Sequence, residues 1–340
     1  MRKSKEAEKN PTRDQVAQKA GVSSATVSRV YNNPGSVSTE KRSAVFDAAE
    51  ELGYIPNKAA SALRRNGTGI ITLLELKKEK REYYWADLSL FKWFYADVLT
   101  AVKEVVDKSM YQLNLATAGS ASDIDKLRGL SDGLICYDVD RPAEAEMIAA
   151  ASIPYVIGHH TKDYEGHPRC STDNTEGGAI QAKLLKKAGC RKPAYITAHT
   201  VNVKPNRDRL NGFLAEFGEA NVRVIESRVG REAGYRATES LLPELKNGEI
   251  DGIAAVNDIT AVGAGYAISD AGLRAQQDIP LAGYDNMPLR AVLPFELLTV
   301  ALKPAEIYRN AAEMLLAELA GIGQAPFSRI ISPEPISYPY

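Results

Sequence analysis

The chain has little of what marks a redox, metal or membrane protein. Its three cysteines, Cys136, Cys170 and Cys190, are odd in number and far apart, which excludes a disulfide framework and the paired spacing of a zinc site or redox dithiol. The four histidines, His159, His160, His167 and His199, fall in no ligand motif. The adjacent pair His159 and His160 sends its side chains in divergent directions, so no metal is expected. No run approaches the roughly 18 uninterrupted apolar residues of a membrane span. The start, residues 1–10, lacks the apolar core of a signal peptide. A reduced, cytoplasmic protein without membrane contact follows as the expectation. There is no Walker loop, no Gly-x-Ser-x-Gly elbow and no His-Glu-x-x-His, so neither an enzyme nor a cofactor is expected. Net charge is nearly absent too: 42 Lys+Arg against 43 Asp+Glu give −1, which on its face argues against a polyanionic partner.

What is present is ordinary in amount and uneven in distribution. At 340 residues, 44% hydrophobic and 25% charged, the chain exceeds what one hydrophobic core organises, and two or three units are expected. Residues 1–65 carry 12 Lys+Arg and 7 Asp+Glu, a balance of +5, whereas the rest carries 30 and 36, a balance of −6. A basic first fifth on an acidic remainder is the asymmetry expected when one end touches polyanion; a solvated charged face is the plainer alternative.

Texture changes at the same place. Residues 12–55 show helical periodicity, whereas Ile70-Ile71-Thr72-Leu73-Leu74 reads as a buried parallel strand. Similar runs at 134–137, 155–157, 194–197, 223–225, 252–256 and 279–283 alternate with helical stretches at 94–108, 176–188, 208–217, 233–246, 258–271 and 304–320. Two α/β units with Rossmann-like parallel sheets are expected.

Within the basic segment, Thr12 and Gln15 have capping-box spacing, and Val16, Ala17 and Ala20 share one face of a first helix. Gly21 suits a tight turn, Ser23 a second cap, and Val27 and Val30 an inner face. This is the pattern of a helix-turn-helix. A third helix is expected from a cap at Ser38 to about Leu52, stopped by Gly53. On the second helix Ser24, Ala25 and Arg29 project outward, with Thr26, Ser28 and Asn32 alongside. Residues near such a helix N-terminus reach base edges in the major groove, Arg29 suits bidentate bonding to guanine, and hydroxyls such as those of Thr12, Ser23 and Ser38 suit phosphates.

At these residues the sequence resembles the lactose repressor/galactose repressor family of bacterial transcription regulators. Val16-Ala17, Ala20-Gly21-Val22-Ser23, Ala25-Thr26-Val27-Ser28-Arg29-Val30, Asn32 and Leu52-Gly53-Tyr54-Ile55-Pro56-Asn57 match its headpiece pattern. The resemblance implies that the positions of Ser24, Ala25 and Arg29 read the operator, Ala25 by a methyl contact only. It also implies that the short segment Asn57–Arg65 folds as a paired hinge helix in the minor groove, with Leu63 wedged between base steps. Asn57 and Ala60 then lie at that contact, Ala59, Ala60 and Ala62 allow close approach, and Arg64 and Arg65 face phosphates.

Downstream, Asp173-Asn174, Arg209–Phe213, Gly234-Tyr235, Asn257-Asp258, Gly283-Tyr284-Asp285-Asn286 and Leu298-Thr299-Val300 resemble the landmarks of a type I periplasmic-binding-protein-like core. The implied organisation is a flexible basic tail 1–10, a small all-α helix-turn-helix headpiece 11–56, a hinge 57–66 and an α/β core 67–340. The core divides into an N-subdomain of about 67–164 plus 293–326 and a C-subdomain of about 165–292 plus 327–340. Arg209, Asn257 and Asp285, expected at or after strand ends, offer the fork, amide and carboxylate suited to sugar hydroxyls; a structural ion pair is the other reading of Arg209 and Asp285. His159 stands where sugar-binding relatives place a carboxylate, and no aromatic stands near Val229. Tyr83, Tyr84 and Trp85 offer either a stacking surface or buried packing. The segment 116–132 is shorter than usual, and Tyr338 stands near a familiar C-terminal Arg. The expected function is a homodimeric repressor of carbohydrate use, binding near-palindromic double-stranded operator DNA and relieved by a small sugar or sugar-phosphate effector. The alternative is a corepressor response to a nucleoside or purine. The tail 332–340 has no heptads, so no tetramer-forming coiled coil is expected.

Overall fold

The computed structural model describes residues 11–32, 36–54, 67–77, 92–137, 139, 141–159, 166–198, 200–321 and 327–336. The tail, the expected hinge with Asn57, Ala60, Leu63 and Arg64, and the aromatic run with Tyr84 lie outside the described residues.

Three helices form the headpiece: α1 (Arg13–Lys19), α2 (Ser24–Asn32) and α3 (Thr39–Leu52). The capping box is made, with Thr12 N donating to Gln15 Oε1 at 2.7 Å and Gln15 N to Thr12 Oγ1 at 3.4 Å. Gly21 turns the chain at φ +65°, and Ser23 Oγ accepts Thr26 N at 3.1 Å. Ser38 precedes α3 without bonding the orphan N–H groups as a side-chain cap, contrary to the sequence expectation. Gly53, at φ 63°, ends α3 in the left-handed conformation that favours glycine. Among the described residues, Val16, Ala17, Val27, Val30, Val45, Ala48 and Ala49 make the buried core of the headpiece. It consists of small side chains, and a core that small leaves the unit marginally stable.

The remainder is two parallel sheets. The first contains β1 (Ile70–Leu76), β2 (Gln112–Ala118), β3 (Gly133–Tyr137), β4 (Tyr155–Gly158), β5 (Arg169–Thr172) and, from near the C-terminus, β11 (Ser328–Ile331). Their order is β11-β5-β4-β3-β1-β2. The second contains β6 (Pro193–Thr197), β7 (Arg223–Glu226), β8 (Gly252–Ala255) and β9 (Leu281–Ala282), ordered β7-β6-β8-β9. Both halves therefore start with a strand flanked by the second on one side and the third on the other. That reversal creates a crevice at the carboxyl ends of β1/β3 and of β6/β8.

The helices that wind these sheets are α4 (Lys92–Asp107), α5 (Ala121–Asp125), α6 (Pro142–Ala150), α7 (Asn174–Lys187), α8 (Lys204–Phe217), α9 (Arg231–Lys246), α10 (Asp258–Asp270) and α11 (Pro304–Leu319). The antiparallel pair β10 (Thr299–Ala301) and β12 (Glu334–Ile336) joins the two halves. Because β5 and β11 pair in the first sheet, the chain crosses between halves near Thr172–Asn174, Ala301–Pro304 and Ile331–Glu334. These points lie several residues later than the expected boundaries near 165, 293 and 327. The described cysteines are free and buried, and no helix among the described residues is long and apolar enough to cross a membrane.

Candidate effector cleft and DNA-reading face

Arg209 is the centre of a buried polar cluster at the carboxyl ends of the second sheet. It lies inside α8, within the helical stretch expected at 208–217, and not at a strand end. The crossing of α7 and α8 sets its position. Gly178 of α7 and Gly212 of α8 let the backbones meet so closely that an added Cβ would fall 1.9 Å from Arg209 O and from Thr175 O, respectively. The guanidinium is buried. Its Nε donates to Asn174 Oδ1 and its Nη1 to Val256 O, both at 2.9 Å, and it lies 3.7 Å from the centroid of the Tyr284 ring. A desolvated cation over an aromatic face contributes about 2 kcal/mol.

Asp285 faces it, with Arg209 Nη1 3.7 Å from Asp285 Oδ1. Burial pushes the Asp285 carboxyl up to about 7, and Arg209 opposes that rise. The ion-pair reading and the ligand reading thus fall on the same two side chains. Asp285 and Asn286 both take positive φ, 110° and 56°, a conformation that costs about 1–3 kcal/mol per residue and persists where surroundings over-determine it. The surroundings are explicit. Asp285 N donates to Val300 O at 2.8 Å, Asn286 N to Thr299 Oγ1 at 3.2 Å and Met287 N to Asp258 Oδ2 at 2.8 Å. Thr299 Oγ1 donates in turn to Asp258 Oδ1 at 2.6 Å. Asp258 therefore braces the turn that aims Asp285. Asn257 caps α10 with its Oδ1 on Thr260 N, 3.1 Å, directly after the Val256 carbonyl that holds Arg209.

The facing wall comes from the carboxyl ends of the first sheet. His159, half-buried at φ 44°, follows β4, and its ring lies 5.0 Å from that of Phe94 in α4. Phe94, Tyr137 at the end of β3 and Tyr308 of α11 pack as an aromatic cluster with centroids 5.9–6.4 Å apart. Beside the cleft, Trp93, Asp97, Asp285, Asn286 and Lys303 line a hollow, and the buried Trp93 Nε1 has no hydrogen-bond partner. The structure gathers Arg209, Asn257 and Asp285 at the carboxyl end of the second sheet and puts His159 at the carboxyl end of β4 in the first. Asn174, Tyr284, Phe94, Tyr137 and Trp93 were not anticipated; only the Asp173-Asn174 and Gly283–Asn286 landmarks hinted at two of them. Among the described residues no group of acidic, cysteine and histidine side chains is arranged to hold a metal.

At the other end, α2 shows Ala25 and Arg29 to solvent, with Ser24, Thr26 and Ser28 half-buried. Ser24 Oγ is bonded to Asp14 of α1, Ser23 Oγ lies 2.9 Å from Thr26 Oγ1, and Thr12 and Ser38 are exposed beside the starts of α1 and α3. Asn32 closes α2.

A helix-turn-helix on a two-sheet core, with a buried polar cluster at the carboxyl ends of its strands, is the architecture of a ligand-binding core joined to a DNA-reading domain. The comparisons agree with that class. Residues 12–57 match the family described as bacterial regulatory proteins, lacI family, and residues 182–337 match the periplasmic binding protein-like domain. The chain is 30% identical over 321 residues to a ribose operon repressor of Haemophilus influenzae, covering 91% of this chain and 92% of that protein. Among solved structures it is similar to a transcriptional regulator CelR–cellobiose complex, with TM-score 0.64, 24% identity and coverage of 96% and 99%. It is also similar to a lac repressor dimer bound to operator and an anti-inducer, with TM-score 0.62, 22% identity and coverage of 97% and 98%. The chain belongs to the lacI family of bacterial regulatory proteins: it is a DNA-binding transcriptional regulator, not an enzyme.

Proposed function

We propose that this regulator is a cytoplasmic, homodimeric repressor whose operator affinity is lowered by a small polyhydroxylated effector, a sugar or sugar phosphate, bound between its subdomains. The observation that carries the reading is the buried Arg209–Asp285 pair beside a strained turn at the carboxyl ends of the strands. Arg209, Asn257 and Asp285 take the hydroxyls, His159 closes the facing side, and Tyr84 offers a stacking ring. The relatives with ribose and cellobiose in their descriptions support a saccharide ligand.

At the operator, Arg29 reads guanine, Ala25 and Ser24 meet neighbouring base edges, and Thr12, Ser23, Thr26, Ser28, Asn32 and Ser38 bond phosphates and flanking groups. Asn57, Ala60, Leu63 and Arg64 engage the operator centre. When the operator binds, the protein resides on the nucleoid. A twofold dimer reads a near-palindrome because it presents the same face twice. Leu115 on the edge strand β2 and Val292, 50% and 78% exposed, offer apolar surface to a second copy.

A thermal-shift screen of ribose, cellobiose and sugar phosphates beside adenosine and hypoxanthine tests the ligand. At a hundredfold excess over Kd the expected gain is about 2.7 kcal/mol. Stabilisation by the purines alone, with tighter operator binding, replaces the sugar-induced repressor by a corepressed one.

A further inference from the structure

The point at which the headpiece segment joins the core is held by one carboxylate. Asp132, at the turn into β3, accepts Thr68 N at 2.7 Å and Thr68 Oγ1 at 2.9 Å on Oδ1, and Gly69 N at 2.8 Å on Oδ2. Hydrogen bonds to an ionised acceptor are stronger and more directional than neutral ones. Here three converge on the two residues before β1. The grip is close: a Cβ on Gly67 would stand 2.8 Å from Asp132 Oδ2. Gly69, at φ +72°, makes the bend.

The anchor is itself stiff. Asp132 N donates to Ile70 O at 2.8 Å. The neighbouring Ser131 Oγ donates to Gly133 O at 2.9 Å and receives the Thr72 hydroxyl at 2.9 Å. Beyond it runs β3, all five residues buried, which ends at Tyr137 in the aromatic wall of the cleft. A strand of that length spans about 15 Å. One rigid element thus has the effector cleft at its carboxyl end and the exit toward DNA at its amino end.

We infer that Asp132 is a positioning residue that fixes where, and in what direction, each headpiece segment leaves the core, and so sets the spacing between the half-sites a dimer accepts. Core movements reach the DNA through this clamp, because the exit moves with β3 as one body. The inference rests on the regulator reading above.

The test uses the full chain. Wild-type protein first selects a high-affinity operator from random duplex DNA. Two Kd ratios are then measured by fluorescence anisotropy: one base pair inserted at the operator centre against the selected operator, and one substituted half-site base against the same. Asp132→Ala is expected to lower the insertion ratio at least fivefold and leave the substitution ratio unchanged, with Asp132→Asn, which keeps one acceptor oxygen, in between. A purely stabilising role would move the thermal midpoint and neither ratio. If Asp132→Ala does not fold, Gly67→Ala decides, since it pushes on the same carboxylate from outside the buried layers. Folded variants that keep the wild-type insertion ratio overturn the anchor alone. A wild-type protein that selects no DNA overturns the regulator reading and the anchor together.

Discussion

Arg29 and Asp285 occupy opposite environments, and their chemistry follows from that. Arg29 is exposed on α2, where a guanidinium keeps its fork free for the O6 and N7 of a guanine. Arg29→Ala is expected to cost about 1–3 kcal/mol of discrimination between operator and mismatched DNA. Competition anisotropy separates this from a uniform loss on all DNA, which would make Arg29 a phosphate contact. Asp285 is buried with a carboxyl near 7, against about 3.9 in an unfolded chain. Between those values the folded protein holds a proton that the unfolded chain has released, so the Asp285 contribution to stability is lost as pH rises from about 4 through 7. Asp285→Asn does not titrate. Its melting temperature relative to the wild type should climb across that window and level off above it; a constant difference would refute the buried-carboxyl account. At this scale the sequence was informative where the signal was local. Thr12, Gln15 and Ser23 cap as their spacing implies, whereas Asn174 and Tyr284 join Arg209 only through tertiary packing.

Elements were legible where apolar residues ran together, which also revealed the short solvent-facing edge strand β7 through Val224 and Ile225. The apolar runs of β1, β3, β4, β6 and β8 could be recognised because strands buried on both faces carry no alternation to hide them. The strand β2, with sequence QLNLATA, sits at an exposed sheet edge and is mostly open to solvent, so its pattern is weak. Strands β5 and β11 are four residues long with only part of each buried, too short for periodicity to register. The helix pair α7/α8 shows how an element positions chemistry. Gly178→Ala places a methyl 1.9 Å from the Arg209 carbonyl, so the helices must separate. A loss of about 1–3 kcal/mol is expected in urea unfolding. Sugar binding should weaken with it, because Arg209 rides on the displaced helix. An unchanged urea midpoint would mean the crossing relaxes freely.

For the whole molecule, the near-zero net charge is the sum of two unlike parts, a basic headpiece and an acidic core. Removing residues 1–65 should abolish operator binding while leaving the ligand-induced rise in melting temperature intact. Loss of both would place headpiece contacts inside the effector site. In the intact protein, effector and operator must change one another's affinity by the same factor, which paired titrations in each order will check. The strand order of the two halves repeats, and that repetition was implicit in the alternation of strands and helices. The late crossings at Thr172–Asn174 and Ile331–Glu334 were not, because they depend on which sheet β5 and β11 join.

The placement of Trp93 has a practical consequence. The chain has two tryptophans, Trp85 and Trp93, the first in the segment between β1 and α4 and the second on α4 beside Asp285. Of the two, Trp93 stands beside Asp285, and neither the headpiece nor residues 94–340 carry a tryptophan. For the effector proposed to sit against Asp285, unlabelled protein carries an optical reporter in Trp93, and the headpiece has no tryptophan of its own to respond to operator.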